Sequence, residues 1–124
     1  MYAGDCTRNE TAVLDRTAAI DRVGGDLALL QEVAQLFLDH TPEMLAAIKK
    51  AIGDSDAAAL QLAAHSLKGC VGTFGAAQAY RAALNLEVIG QNGRLGDAVD
   101  ALSKLETALD ELTPAIATLT APLP

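Results

Sequence analysis

His65 is followed three, four and seven residues later by Lys68, Gly69 and Gly72. On an α-helix, at about 100° per residue, these positions share a face with Ala58, Gln61 and Leu62. Leu60, Ala63, Leu67, Cys70, Val71 and Phe74 fall in the opposite half, which is therefore the core side and leaves His65 facing solvent. Each glycine costs a helix about 1 kcal/mol against alanine. A face that carries two of them gives up stability for clearance, and a large partner can approach the imidazole with no β-carbon in its way. Lys68 reaches the same space, and an ammonium there favours an anion attached to the ring.

The chemistry this suggests is phosphoryl transfer. A neutral imidazole nitrogen is a competent nucleophile near neutral pH, and histidine forms covalent intermediates of this kind. There is no Ser, Asp and His constellation for hydrolysis and no G-x-x-x-x-G-K nucleotide loop. The chain is expected to carry a phosphoryl group without taking one from ATP, so it is not read as an enzyme with its own ATP site. No cofactor and no metal site of its own are expected. His40 has Glu43 three residues on and no other ligand in helical register, and reads as incidental. Cys70 lies on the core face, and Cys6 reads as an unpaired tail thiol.

A helix bearing this face must be held by others. The chain has 124 residues, of which 51% are hydrophobic and 3% aromatic, with no Trp. Alanine and leucine dominate, and alternating apolar runs are missing, so all-α is the expected class. A net charge of −7 argues against nucleic acid and anionic membrane as partners. The polar N-terminus and the lack of a long apolar run predict a soluble, cytoplasmic chain, free or as a module of a membrane-anchored sensor kinase.

Residues 1–13 read as a tail or linker, 14–119 as the folded domain and 120–124 as a second tail. A short helix is predicted from about Asp15 to Val23, ended by Gly24-Gly25, with Asp26 as the next N-cap. Leu27, Leu30, Ala34, Phe37, Thr41, Leu45, Ile48 and Ile52 keep one helical stripe across Pro42, which predicts a single kinked helix rather than two. The His65 helix follows, from about Asp54 to Phe74. The next runs from about Ala76 to Gln91, with Ala79, Tyr80, Ala83, Leu84 and Val88 as its apolar face and Asn92-Gly93 as terminator. The last has Ala98, Leu102, Leu105, Leu109, Leu112, Ile116 and Leu119 in register, with Pro114 a candidate kink or early stop. Four amphipathic helices on short connections predict an antiparallel up-down four-helix bundle with a short N-terminal helix.

The run Ala64-His65-Ser66-Leu67-Lys68-Gly69, with Gly75 ten residues after the histidine, resembles the signature of the histidine-containing phosphotransfer family of phosphorelays. The resemblance extends to Gly24-Gly25-Asp26, to Phe37-Leu38 with Pro42, to Asp56 and to Leu86-Glu87, and spans about residues 14–119. Gly72-Thr73-Phe74 stands where relatives often have a small residue, Asn and Leu, and Cys70 where serine is frequent. The resemblance implies a phosphocarrier. Its His65 accepts a phosphoryl group from the aspartyl phosphate of one receiver domain and passes it to another. It further implies that Lys68 stabilises the phosphoryl charge, that Gly69 gives clearance and that Glu87 is a candidate hydrogen-bond partner of the imidazole. Gln61, Leu62 and Gly72 are assigned to partner docking. Receiver domains of response regulators or hybrid histidine kinases are the expected partners, the receiver bringing Mg²⁺, and the chain is expected to be a monomer. The alternatives are the phospho-accepting domain of a chemotaxis-type histidine kinase and a bundle that docks a receiver without being phosphorylated. The intact His65, Lys68 and Gly69 cluster speaks against the last, since docking needs no nucleophile.

Overall fold

Aspartates open three of the helices. In the computed structural model, which describes residues 14–120 and side chains through 119, Asp15, Asp26 and Asp56 each stand just before a helix. Each accepts a hydrogen bond from the backbone N–H three residues on, at Ala18, Leu29 and Ala59, all at 3.0 Å. The helices are α1 (Arg16–Arg22), α2 (Leu27–Gly53), α3 (Ala57–Thr73), α4 (Ala77–Asn92) and α5 (Ala98–Thr120), with a 3-10 turn at Leu95–Asp97 before α5. The expected tail at 1–13, with Cys6, and all but Thr120 of the one at 120–124 lie outside the described residues, Thr120 being the last residue of α5.

Both internal prolines are absorbed. α2 remains one helix through Pro42, as its unbroken stripe predicts, and the Thr41 hydroxyl donates to the Phe37 carbonyl at 2.6 Å one residue before it. α5 continues through Pro114 to Thr120, so this proline does not end the helix early. α4 stops at Gly93, whose φ of 71° is the left-handed geometry that glycine supplies without strain.

The four long helices close a ring. α3 packs on α2 and α4, and α5 packs on α2 and α4. Inside it lie Ile48, Leu60, Leu67, Leu86, Leu105, Leu112 and Ile116, with Phe74 buried against Phe37 edge-to-face at 5.4 Å between ring centres. α1 closes one end of the bundle beside the C-terminus of α3. The Asp15 N–H donates to the Phe74 carbonyl at 2.8 Å, and the Arg22 guanidinium reaches the Thr73 carbonyl at 3.4 Å. A β-carbon on Gly75 would stand 2.5 Å from the Asp15 β-carbon, so only glycine lets the chain cross there.

Two details differ from the sequence expectation. On α4 the core face is Ala79, Ala83, Leu86, Ile89 and Gly90, whereas Leu84 and Val88 are 37% and 40% exposed. On α3 Ala64 is fully buried. Both follow from how near α3 and α4 lie. A β-carbon on Gly90 would sit 2.7 Å from the Gln61 nitrogen and 2.8 Å from the Ala57 carbonyl oxygen, so small residues form the seam. The larger Leu84 and Val88 are left outside it.

Candidate functional site

The close crossing of α3 and α4 assembles the site. His65 and Lys68 come from the outer face of α3, and Glu87, one turn before Gly90, reaches across from α4. Glu87 Oε2 lies 2.9 Å from His65 Nδ1, and Glu87 Oε1 lies 2.8 Å from Lys68 Nζ. The imidazole side chain is 64% exposed, while the carboxylate and the lysine are 15% and 19% exposed. One half-sheltered carboxylate therefore holds an exposed ring on one oxygen and an ammonium on the other.

The electrostatics fix the charge of the carboxylate and of the ammonium. Lys68 first, then His65, hold the Glu87 carboxyl below the usual carboxylate range. The same contact raises the Lys68 ammonium above its ordinary value. An ionised carboxylate only accepts hydrogen bonds, so His65 Nδ1 carries the proton that faces it. In the neutral ring the lone pair is then on Nε2, the nitrogen remote from Glu87 on this solvent-exposed side chain. Such an arrangement can present a nucleophilic nitrogen in a fixed tautomer and orientation, with a positive charge beside it.

The other residues singled out in the sequence sit around this triad in different ways. A β-carbon added to Gly69 would meet no atom within 4 Å, so the turn beyond His65 is open to an approaching partner. Leu62, one turn before His65, is 70% exposed. Gln61 is half-buried, with its backbone under Gly90. Gly72 is roofed by Tyr80, whose ring carbons would lie 3.4 Å from a β-carbon there. Tyr80 also places its ring centre 6.0 Å from Lys68 Nζ, within range of a cation–π contact. Sequence reasoning assigned Tyr80 to the core and missed it as a neighbour of the site. The available signal was its position seven residues before Glu87, two helical turns away on one face. His40 Nδ1 lies 3.6 Å from Glu43 Oε2, far out on α2 with both side chains exposed.

Comparison with known proteins adds a family and a fold. The model of the Hpt domain family matches residues 32–115. The crystal structure of histidine-containing phosphotransfer protein B from Pseudomonas aeruginosa PAO1 is similar to this chain with a TM-score of 0.80 at 21% identity, over 87% of this chain and 94% of that one. At that identity the likeness speaks for the fold. No curated protein matches the chain.

Proposed function

The chain belongs to the Hpt domain family and is a histidine phosphotransfer protein of a phosphorelay, and from that premise we propose that His65 is the residue it phosphorylates, through Nε2. The observation that carries this reading is the pairing of His65 Nδ1 with Glu87 at 2.9 Å on an otherwise exposed ring. The opposite nitrogen is left as the nucleophile. A receiver aspartyl phosphate would approach over Gly69 and Leu62. Nε2 attacks phosphorus as the bond to the aspartyl oxygen breaks, and the carboxylate departs with that electron pair. The reverse step regenerates the acyl phosphate on the next receiver.

Lys68 has two roles in this scheme. It anchors Glu87, and its charge stands beside the oxygens of the transferring group, where cations lower the barrier. Mg²⁺ belongs to the partner receiver, which supplies charge neutralisation at its own aspartate. The chain acts as a carrier rather than as an ATP-using enzyme, as a monomer in the cytoplasm. Its folded unit spans about residues 14–119. The short connections between α2, α3 and α4 support an antiparallel up-down order of the four long helices. That no helix among the described residues is long and apolar enough to cross a membrane is consistent with that setting.

The test is transfer from a phosphorylated receiver to the wild-type chain and to His65→Gln. The wild type is expected to gain an acid-labile phosphoryl group and the variant none, with unchanged helical content. Labelling of His65→Gln at the wild-type rate, or an acid-stable product on the wild type, contradicts the assignment.

A further inference from the structure

Eight Lys and Arg side chains fall among residues 14–120. Lys49, Lys50 and Lys68 pair with Glu106, Asp54 and Glu87, and Arg22 donates to a backbone carbonyl. Arg16, Arg81, Arg94 and Lys104 make no such contact among the described residues. Three of these four line one groove between α4 and α5. Its first part, about 430 Å³, is walled by Gln78, Arg81 and Asn85 from α4 and by Ser103, Lys104 and Thr107 from α5, over a floor of Ala82 and Ala108. It shares Asn85 and Lys104 with a second part of about 320 Å³, where Arg94 faces Asp97 and Asp100. On α4 the position of Asn85 is turned about 160° from that of Glu87, so the body of the groove lies away from the His65 site, although Arg81 at one end also borders the hollow by Gly72 and Tyr80.

In a chain of net charge −7, unpaired cations gathered in a furrow with amide and hydroxyl groups and no acid in its first part form an electropositive slot. The slot is long, open and floored by alanines, so a compact ligand would stay mostly wet in it, whereas small-molecule sites bury most of their ligand. A polypeptide laid along it keeps one side in solvent and still places carboxylates on the cations. We propose that the α4–α5 groove binds an acidic polypeptide segment of a partner protein, with its Asp or Glu side chains over Arg81 and Lys104. Asp97 and Asp100 repel carboxylates at the far end and so set the register. This surface adds to the phosphocarrier role and does not depend on it.

The full chain is titrated into a fluorescein-labelled oligoglutamate peptide at low salt, followed by anisotropy. Saturable binding is expected. Arg81→Gln/Lys104→Gln should weaken it about tenfold or more, Arg16→Gln should leave it within about twofold, and Asp97→Asn/Asp100→Asn should tighten it. Amide NMR shifts of the unaltered chain, titrated with the same peptide, should concentrate at residues lining the groove and need no variant to fold. Absence of saturation, an equal loss in Arg16→Gln, or shifts spread over the whole surface overturns the proposal. Tripolyphosphate that binds as tightly and shows the same loss in the double variant also overturns it, in favour of a small-polyanion site. Phosphotransfer to His65 is measured in parallel, and its failure bears only on the reading of His65.

Discussion

Glu87 is the residue on which the others converge, because its two oxygens divide between His65 Nδ1 at 2.9 Å and Lys68 Nζ at 2.8 Å. Loss of either contact has a different consequence. Glu87→Ala frees the imidazole to rotate and exchange tautomers, and leaves the ammonium without its partner. Transfer at saturating receiver is expected to slow, with a smaller loss for Glu87→Gln, since an amide oxygen still accepts from Nδ1–H. In ¹⁵N-detected spectra of the ring, wild type should show Nδ1 as the protonated nitrogen of the neutral form, and Glu87→Ala a mixture. Unaltered tautomer populations in that variant would remove Glu87 as a positioning residue. Lys68→Ala keeps the Glu87 contact to the ring but removes the cation. Its single-turnover rate at saturating receiver should fall in both directions while receiver affinity stays nearly constant. Loss of affinity with an intact saturated rate would instead make Lys68 a docking residue.

At the scale of the helix, the two glycines nearest this triad do opposite things. Gly69 faces open space, where a β-carbon meets nothing within 4 Å. Gly69→Gln is therefore expected to gain up to about 1 kcal/mol of helix propensity while slowing transfer severely, read by thermal melting and by transfer kinetics on the same sample. A β-carbon on Gly90 would stand 2.7 and 2.8 Å from the α3 backbone, and backbone cannot swing aside as a side-chain tip can. Gly90→Val should destabilise by about 1–3 kcal/mol or more, and it should also slow transfer by drawing Glu87 away from His65. Normal stability in Gly90→Val would show that the helices separate freely. This seam also explains what was legible in the sequence. The outward face of α3 could be read from period alone, because Leu60, Leu67 and Val71 are large, apolar and buried. The face of α4 was read in part: Ala79 and Ala83 are buried as expected. Tyr80, Leu84 and Val88 lie outside, and Leu86, Ile89 and Gly90 complete the core face, because the helices come closest at Gly90 and turn that side inward. The contact between His65 and Glu87 joins residues 22 apart on two helices. Periodicity within one helix holds no information about such a distance, so Glu87 entered only through the family resemblance, and the anchoring of Lys68 upon it was not foreseen at all.

For the molecule as a whole, acidification has two opposing effects. The chain carries −7 at neutral pH and has an isoelectric point near 4.6, so lowering the pH toward that point relieves its self-repulsion. The Glu87 cluster works the other way. Its carboxyl titrates below the ordinary range in the folded chain, with Lys68 and then His65 as the cause, and near the ordinary value of about 4.3 when unfolded. The unfolded chain therefore takes up this proton first, and the stabilisation present above about pH 5 is lost as the pH falls through the folded value. Lys68 has the mirrored behaviour. Its folded value is raised by Glu87, so its contribution is complete below about pH 10 and fades as the pH rises through the folded value. Comparing wild type with Glu87→Gln cancels the net-charge effect to first order and isolates the cluster. The difference in melting temperature should be a plateau from about pH 5.5 to about pH 9, narrowing on the acid side as the carboxylate is protonated. Circular dichroism melts of both proteins from about pH 3 to about pH 9 measure it. A difference that stays constant down to the acid limit would mean that the Glu87 charge is not coupled to folding, and that the variant acts through packing alone.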